Sequence, residues 1–504
     1  MIVLGADASN AFAEAPPPKA PLYVIVDQQF REWYAANKFG DIPVGWVMPV
    51  QHALQGHPES PRLCAKMIDN IIRSEVNLQP TTHEPCLYSG YVDGYKVLFL
   101  RQVDDFAVAC ENTDVANKVI DLISAKLSAP MHKLGIIERY NGIDVLQTKD
   151  YIKIHSKTYL TKILQNHDWL KTAQKSPVNP IPMREGTRYQ NLLDTVEPPT
   201  NEEDKNALED EMGFGYRNAI GEIMFLMVTC RPDIAYPTIK LSKFCNNPAR
   251  EHYIAVKNVY RYLRETIDDG IIYWRKTPMT NDSLPPSPIP RIFHQQCDKP
   301  GNQSDLLQGS VDSDWATDIQ NRVSISGLIF YLAGGAVHYK TKIQEDVAHS
   351  STEAEFVAAN EAGKMAKYLR TILEQIGTPQ EEATVILIDN TGAMLMANAQ
   401  QPTRRTRHMD IKHFSIQDWV AQDLVIMEQI KTHQNSADSF TKALARTLFY
   451  VHNDAIMGRI PPAYYQGHIK PTYSTTKNML SSQQGNMLTS KHGGVLCSRL
   501  RRTY

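Results

Sequence analysis

The chain has 504 residues, 53 Lys and Arg against 55 Asp and Glu, and a formal net charge of −2. At ~150 residues per domain this allows about three domains with cores that need no disulfides, and the charge balance counts mildly against a nucleic-acid-binding protein while leaving room for a local basic groove. The seven cysteines (Cys64, Cys86, Cys110, Cys230, Cys245, Cys297, Cys497) form no CxxC pair, so no zinc site or disulfide framework is expected and a reducing compartment is.

No apolar run approaches the ~20 residues of a membrane span. The opening MIVLGADASNAF lacks a basic leader, so no signal peptide is predicted. MIVLGAD (1–7) reads as an apolar strand ending in Asp7, and a helix is predicted after Pro61. CLYSGYVDGYKVLFLRQVDDFAVAC (86–110) contains three strand runs. Asp93-Gly94 supplies the first turn and Val103-Asp104-Asp105 the second. A helix over 112–127 starts at Asn112 or Thr113, strands follow near 140–147 and 151–155, and 156–170 reads as a helix.

Three polar stretches divide the chain. Residues 190–212 are acidic and contain proline, and 276–305 are rich in Pro, Ser, Asn and Asp; both read as linkers or surface loops. The tail after about Gly467 lacks apolar periodicity and is expected to be disordered. No internal repeat is visible. The Met-rich run EIMFLMV (222–228) and the segment 256–265 read as packed helices.

Four acidic residues of the last third sit where predicted elements begin or end. Asp312 ends a short run, Glu355 opens a long helix, Asp389 follows the apolar VILI, and Asp438 opens another helix. A lone carboxylate in such a place is ordinarily a cap. Four of them, in the order strand, helix, strand, helix, suggest a cluster that binds two hard cations by oxygen alone, the arrangement that hydrolyses a phosphodiester by in-line attack. Asp314 and Glu353 are rivals. The place directly after the strand favours Asp312, and SSTE (350–353) fits a capping box that gives Glu353 a structural role. Upstream, Asp104-Asp105 could be plain hairpin chemistry, but the apolar strands around it and the strand-end Asp7 fit carboxylates converging on two metals for nucleotidyl transfer. Phe12, five residues after Asp7, suits a wall beneath an incoming sugar.

At this point the text resembles the polyprotein of a copia-type retrotransposon, specifically its reverse transcriptase and ribonuclease H. The similarity lies in GADASNAF (5–12), QGHPESP (55–61), QVDDFAVA (102–109), YRNAIGEIMFLMVTCRPDIAY (216–236), NPAREHYIAVKNVYRYLRET (247–266), SISGLIFYLAGGAVHYKTKIQ (324–344), STEAEF and RRTRHMDIKHF (404–414), over roughly residues 1–450. The resemblance implies an α/β, multi-domain chain: a palm-like antiparallel sheet with helices, a helical connection, and a five-stranded mixed sheet with helices. It implies a reverse transcriptase palm/thumb-like domain without fingers over 1–189, acidic linker, helical connection and polar linker over 190–305, ribonuclease H over 306–450 and a C-terminal extension over 451–504.

The resemblance also implies roles. Asp7, Asp104 and Asp105 would be the polymerase carboxylates, with Asp7 and Asp104 the metal ligands, and Phe12 and Gln55 would contact the nucleotide. Asp312, Glu355, Asp389 and Asp438 would hold the nuclease metals. Arg404, Arg405, Arg407 and Lys412, beside His408 and His413, would contact substrate phosphates rather than form a solvated helix face; His349 and His433 are assigned no role. Two Mg2+ per site, an RNA template, a DNA primer, an RNA–DNA hybrid and deoxynucleoside triphosphates follow, with no membrane and an intracellular location in cytoplasmic particles and the nucleus. Gln102 stands where the family's hairpin has Tyr. Six residues precede Asp7, so the family's fingers and their cationic clamp are expected to be missing and polymerisation weak. The alternatives are ribonuclease H activity alone, or an inactive nucleic-acid-binding relic.

Overall fold

The computed structural model describes residues 1–169, 181–275, 305–315, 322–399 and 411–459. The N-terminal part comprises β1 (Ile2–Asp7), α1 (Ala11–Glu14), β2 (Tyr23–Ile25), α2 (Gln28–Ala36), β3 (Val47–Pro49), α3 (Ser60–Ile71), β4 (Gln79–Pro80), β5 (Leu87–Val92), β6 (Tyr95–Gln102), β7 (Asp105–Cys110), α4 (Thr113–Ser124) and β8 (His132–Ile136). Six of these strands form one sheet in the order β4-β5-β6-β7-β1-β8. Alternation drives it. Val97 and Phe99 of β6, Phe106 and Val108 of β7 and Leu4 of β1 are buried with Ile68 and Ile72 from α3 and its continuation and with Val119 and Ile123 of α4. Asn112 caps α4 by accepting from the Asp114 backbone N–H at 2.9 Å.

β9 (Arg139–Tyr140), β10 (Ile143–Gln147), β11 (Tyr151–His155) and α5 (Lys157–Asn166) lead into a helical region of α6 (Thr187–Thr195), α7 (Glu202–Met212), α8 (Tyr216–Thr229), α9 (Ala235–Ser242) and α10 (Arg250–Glu265), closed by β12 (Gly270–Trp274). β12 returns to pair with β11, giving a sheet in the order β12-β11-β10-β9.

This region corrects the reading of 190–212 as linker. Leu193 and Asp194 of α6 are buried, and Asp194 pairs with the buried Lys240 at 2.6 Å. The acidic run is helix-start chemistry: the Asn201 side chain accepts from the Asp204 backbone N–H at 2.8 Å, and Glu202, Glu203 and Asp204 occupy the first turn of α7. The boundary drawn at 189/190 therefore falls inside α6. Of the second polar stretch, 276–304 lie outside the described residues, as does the tail beyond Arg459.

The C-terminal part contains β13 (Gln308–Asp314), β14 (Ile325–Leu332), β15 (Gly335–Ile343), α11 (Ser351–Gln375), β16 (Thr384–Ile388), α12 (Thr391–Ala397), α13 (Ser415–Ala421), β17 (Val425–Gln429), a 3₁₀ turn (Ser436–Phe440) and α14 (Arg446–Ile456). Its sheet runs β15-β14-β13-β16-β17, antiparallel through the first three strands and parallel from β13 through β17. This is the expected five-stranded mixed sheet. α11 covers it with Phe356, Ala358, Ala359 and Ala362, packed on Val311, Leu328 and Ile386. The boundary drawn at 450/451 is corrected too, because it cuts α14, which is buried through Ile456.

α14 locks onto the helical region. Arg459 pairs with Asp269 at 2.5 Å and with Asp454 at 3.0 Å, and Asn453 donates to the Tyr262 hydroxyl at 3.3 Å. Beside them Arg231 pairs with Asp233 at 2.7 Å and donates to the Thr266 carbonyl at 3.0 Å, all buried. Backbones meet closely here. Ile272 N donates to the Met457 carbonyl at 3.1 Å, and a Cβ on Gly458 (φ +69°) would lie 2.3 Å from the Ile272 carbonyl oxygen. Among the described residues no helix is long and apolar enough to cross a membrane.

Candidate active site

In the N-terminal sheet, β1 and β7 run antiparallel with Asp7 directly opposite Asp105. Gln102 pairs with Asp105, which leaves Val103 and Asp104 as a two-residue hairpin loop. Val103 has φ 55°. That is a left-handed conformation at the place where a primed hairpin turn prefers glycine, and it is costly for a β-branched residue. The Ala8 backbone N–H donates to the Asp104 carbonyl at 3.1 Å and joins the loop to the end of β1. The Asp105 carboxylate accepts from Asn141 N at 3.3 Å. Burial, then the charges of Asp104 and Asp105, push the Asp7 carboxyl above its ordinary range. Phe12 lies on α1 and packs partly into the sheet's core. Gln55 is exposed in the turn before α3, and Ala53 N ties that turn to α1 through the Ala15 carbonyl at 3.0 Å.

The C-terminal sheet gathers acids more tightly. Oxygens of Asp312, Asp389 and Asp438 lie within 4.8 Å of one another, the one such grouping of three among the described residues. Asp312 comes from β13, Asp389 follows β16, and Asp438 sits in the 3₁₀ turn. Two details correct the sequence reading. Asp312 is inside its strand, two residues before the end, and Asp438 opens no α-helix. Asp314, the rival, is the half-buried last residue of β13. Glu353 takes the capping role. The Ser350 side chain accepts from its N–H at 3.2 Å, and its Oε2 accepts from His349 N at 2.9 Å. Glu355, 5% exposed, faces the cluster.

The electrostatics follow from crowding. Burial first, then Asp312 and Asp389, drive the Glu355 carboxyl far up, against a backbone hydrogen bond from Ser313. Burial and Asp312 likewise raise Asp438 and Asp389. Glu355 Oε2 and Asp438 Oδ1 are buried with no hydrogen-bond partner. Such atoms are costly unless a ligand satisfies them. An all-oxygen set with two orphaned acceptors fits hard divalent cations.

Sequence reading missed the supporting groups. Lys442 Nζ is 3.2 Å from Asp438 Oδ2 and 3.7 Å from Asp312 Oδ2. The Thr441 hydroxyl donates to Asp312 Oδ2. Behind them Gln344 Nε2 donates to Ser313, Ser326 and the Ala354 carbonyl at 3.3, 2.8 and 2.9 Å, tying β13 to the start of α11. The signal for Lys442 was its place four residues after Asp438, one helical turn on.

A polar groove of about 840 Å3 opens between β14, β15, α11 and the start of α13, lined among others by Lys340, Lys342, Lys364, Lys412 and Trp419. Lys412 pairs with Asp346 at 3.3 Å. Arg404, Arg405 and Arg407 lie outside the described residues.

The chain thus carries an aspartate-bearing hairpin beside a strand-end aspartate and, on a separate mixed sheet, three clustered aspartates with Glu355 beside them. The family described as reverse transcriptase (RNA-dependent DNA polymerase) matches residues 40–182. The chain is 29% identical over 406 residues, 80% of its length, to the Pol polyprotein of transposon TNT 1-94 from Nicotiana tabacum. It is 25% identical over 423 residues, 83% of its length, to that of transposon RE1 from Arabidopsis thaliana. It covers 27% and 25% of those two proteins, about a quarter of each. A solved structure, the foamy viral protease–reverse transcriptase in complex with double-stranded DNA, aligns over 86% of this chain and 57% of that one at 11% identity and a TM-score of 0.38. The fold assignment rests on the strand orders above. Over most of its length the chain is thus similar to the Pol polyproteins of copia-type retrotransposons, and residues 40–182 match the reverse transcriptase family.

Proposed function

We propose that the C-terminal unit hydrolyses the RNA strand of an RNA–DNA hybrid, and that the N-terminal unit extends a DNA primer on an RNA template from deoxynucleoside triphosphates. The observation that carries the nuclease reading is the convergence of Asp312, Asp389 and Asp438 within 4.8 Å, beside the orphaned Glu355 Oε2. These four acids would hold two Mg2+, and Asp7 and Asp104 would hold the ions of the polymerase. The bound ions would supply an activated water or 3′ hydroxyl and neutralise charge on the reacting phosphate.

The protein's own groups do the rest. β13, β16 and the 3₁₀ turn fix three carboxylates on rigid elements, so little reorganisation is needed when substrate arrives. Gln344 holds β13 against α11 and so keeps Glu355 beside Asp312. The lysines of the 840 Å3 groove, with Arg404, Arg405 and Arg407, would bear on the duplex backbone.

Ribonuclease H activity alone is a second reading. It is favoured by the looser N-terminal set, where no three carboxylates come within 4.8 Å and Asp105 is engaged by Asn141. The full chain should cut labelled RNA in a hybrid with Mg2+ and leave single-stranded RNA intact, and Glu355→Gln should stop it. Primer extension that Asp104→Asn abolishes separates the two readings. Undiminished hybrid cleavage by Glu355→Gln would sink the nuclease assignment.

A further inference from the structure

We infer that Lys442 is a tethered cation that balances the metal-free acid cluster and is displaced from it when divalent ions bind. The inference rests on the nuclease reading above. Lys442 Nζ stands between Asp438 and Asp312, 3.2 and 3.7 Å from their Oδ2 atoms. This is a place a cation shared by two carboxylates takes. Local geometry delivers it there. Thr441 N and Lys442 N both bond back to the Asp438 carbonyl at 3.2 Å, so the lysine lies one turn beyond the acid it faces.

The partners differ in freedom. Asp312 and Asp438 are 2% and 1% exposed and fixed on a strand and a tight turn. The Lys442 side chain is 36% exposed. A flexible four-carbon stem can carry its ammonium to water, which a carboxylate on a buried strand cannot do. Asp314 at the end of β13 lies near enough to attract it.

The lysine's partnership is also incomplete. It neutralises one charge, yet Glu355 Oε2 and Asp438 Oδ1 stay buried without a hydrogen-bond partner. A permanent structural ion pair satisfies its buried acceptors. Here two acceptors wait for something else, and Lys442 acts as a placeholder. It keeps the acids from pushing the sheet and the turn apart before metal arrives. It also sets the metal concentration at which the site fills.

The test uses the full chain carrying Asp7→Asn and Asp104→Asn, so that the N-terminal acids add no binding. This parent and its Lys442→Met, Lys442→Gln and Lys442→Arg derivatives are titrated calorimetrically with Mn2+ and Mg2+. Unfolding temperatures are recorded in chelator and in metal. Lys442→Met and Lys442→Gln are expected to bind at least tenfold more tightly, about 1.4 kcal/mol. They should unfold at lower temperature in chelator and recover in metal. Lys442→Arg keeps the charge and stays near the parent. Equal or weaker binding by both neutral variants overturns the inference while the nuclease reading stands. No divalent binding by the parent overturns both.

Discussion

Asp389→Asn should make the metal-free protein more stable while destroying its cleavage activity. The substitution removes one of three carboxylates held within 4.8 Å. Two unit charges at that distance repel by about 3.5 kcal/mol at an effective dielectric of about 20. Burial and Asp312 push the Asp389 carboxyl above its ordinary range, and Lys442 offsets part of the field. The relief on mutation is therefore closer to about 1–2 kcal/mol. For a unit of this size each kcal/mol moves the unfolding temperature by about 2–4 °C, so a rise of about 2–8 °C is expected in chelator. Mg2+ should raise the unfolding temperature of the native chain more than that of the variant, since one ligand is gone. Cleavage of the RNA strand should fall by more than about 100-fold, beyond the usual loss from an outer-shell partner. Scanning fluorimetry with and without chelator and a labelled-hybrid assay read both quantities. A variant that is less stable in chelator and still cleaves would show that the three acids are a structural cluster with no metal to hold.

Arg231→Met leaves Asp233 buried without its counter-ion; a loss of about 3–5 kcal/mol is expected in chemical denaturation, and a loss below about 1 kcal/mol would mean the network contributes little. Val103→Gly removes a β-branched residue from φ 55° and should stabilise the chain by about 1 kcal/mol, with no change or a loss arguing that the hairpin carries no strain. His452 is driven down to about 3 by burial, with Lys442 and His433 adding positive charge. Between its ordinary value and that one, the unfolded chain binds a proton that the native chain does not. Stability is therefore full above about pH 6.5 and falls toward pH 3, at up to about 1.4 kcal/mol per pH unit. His452→Gln should flatten that slope in denaturation series at stepped pH, and an unchanged slope would remove His452 from the acid response.

What the sequence disclosed follows a pattern. Asp7 and Asp389 were legible because unbroken apolar runs end at them, and the palm hairpins because Asp93-Gly94 interrupts alternating strands. Glu353 and Glu355 could be told apart because a cap has a fixed spacing. Asp312 was placed at a strand end because Ser310 and Ser313 break the apolar text. These serines are buried, and Gln344, thirty-one residues beyond Ser313, makes that tolerable. Strand β8 has every residue exposed, so it carries no period for a reader to find. The acidic run over 190–212 looked like linker because Asp194 reveals its burial only through Lys240, forty-six residues on. Lys442 went unseen because a search for acids passes over the base that faces them.

The ion pairs at the end of α14 bear on how the chain is made. Asp269 and Trp274 leave the ribosome long before Arg459 and Gly458, the residues that pair with the one and accept from the indole of the other. At ~5–20 residues per second the wait is roughly ten to forty seconds. For that interval the helical region holds a carboxylate without its guanidinium and a tryptophan edge without its acceptor, and its sheet cannot close against the last helix. The final step of its folding thus waits for α14 to be made, however early its own helices form. A message cut short before the codon for Arg459 would leave that step undone and hand the product to the chaperones and proteases that patrol exposed cores.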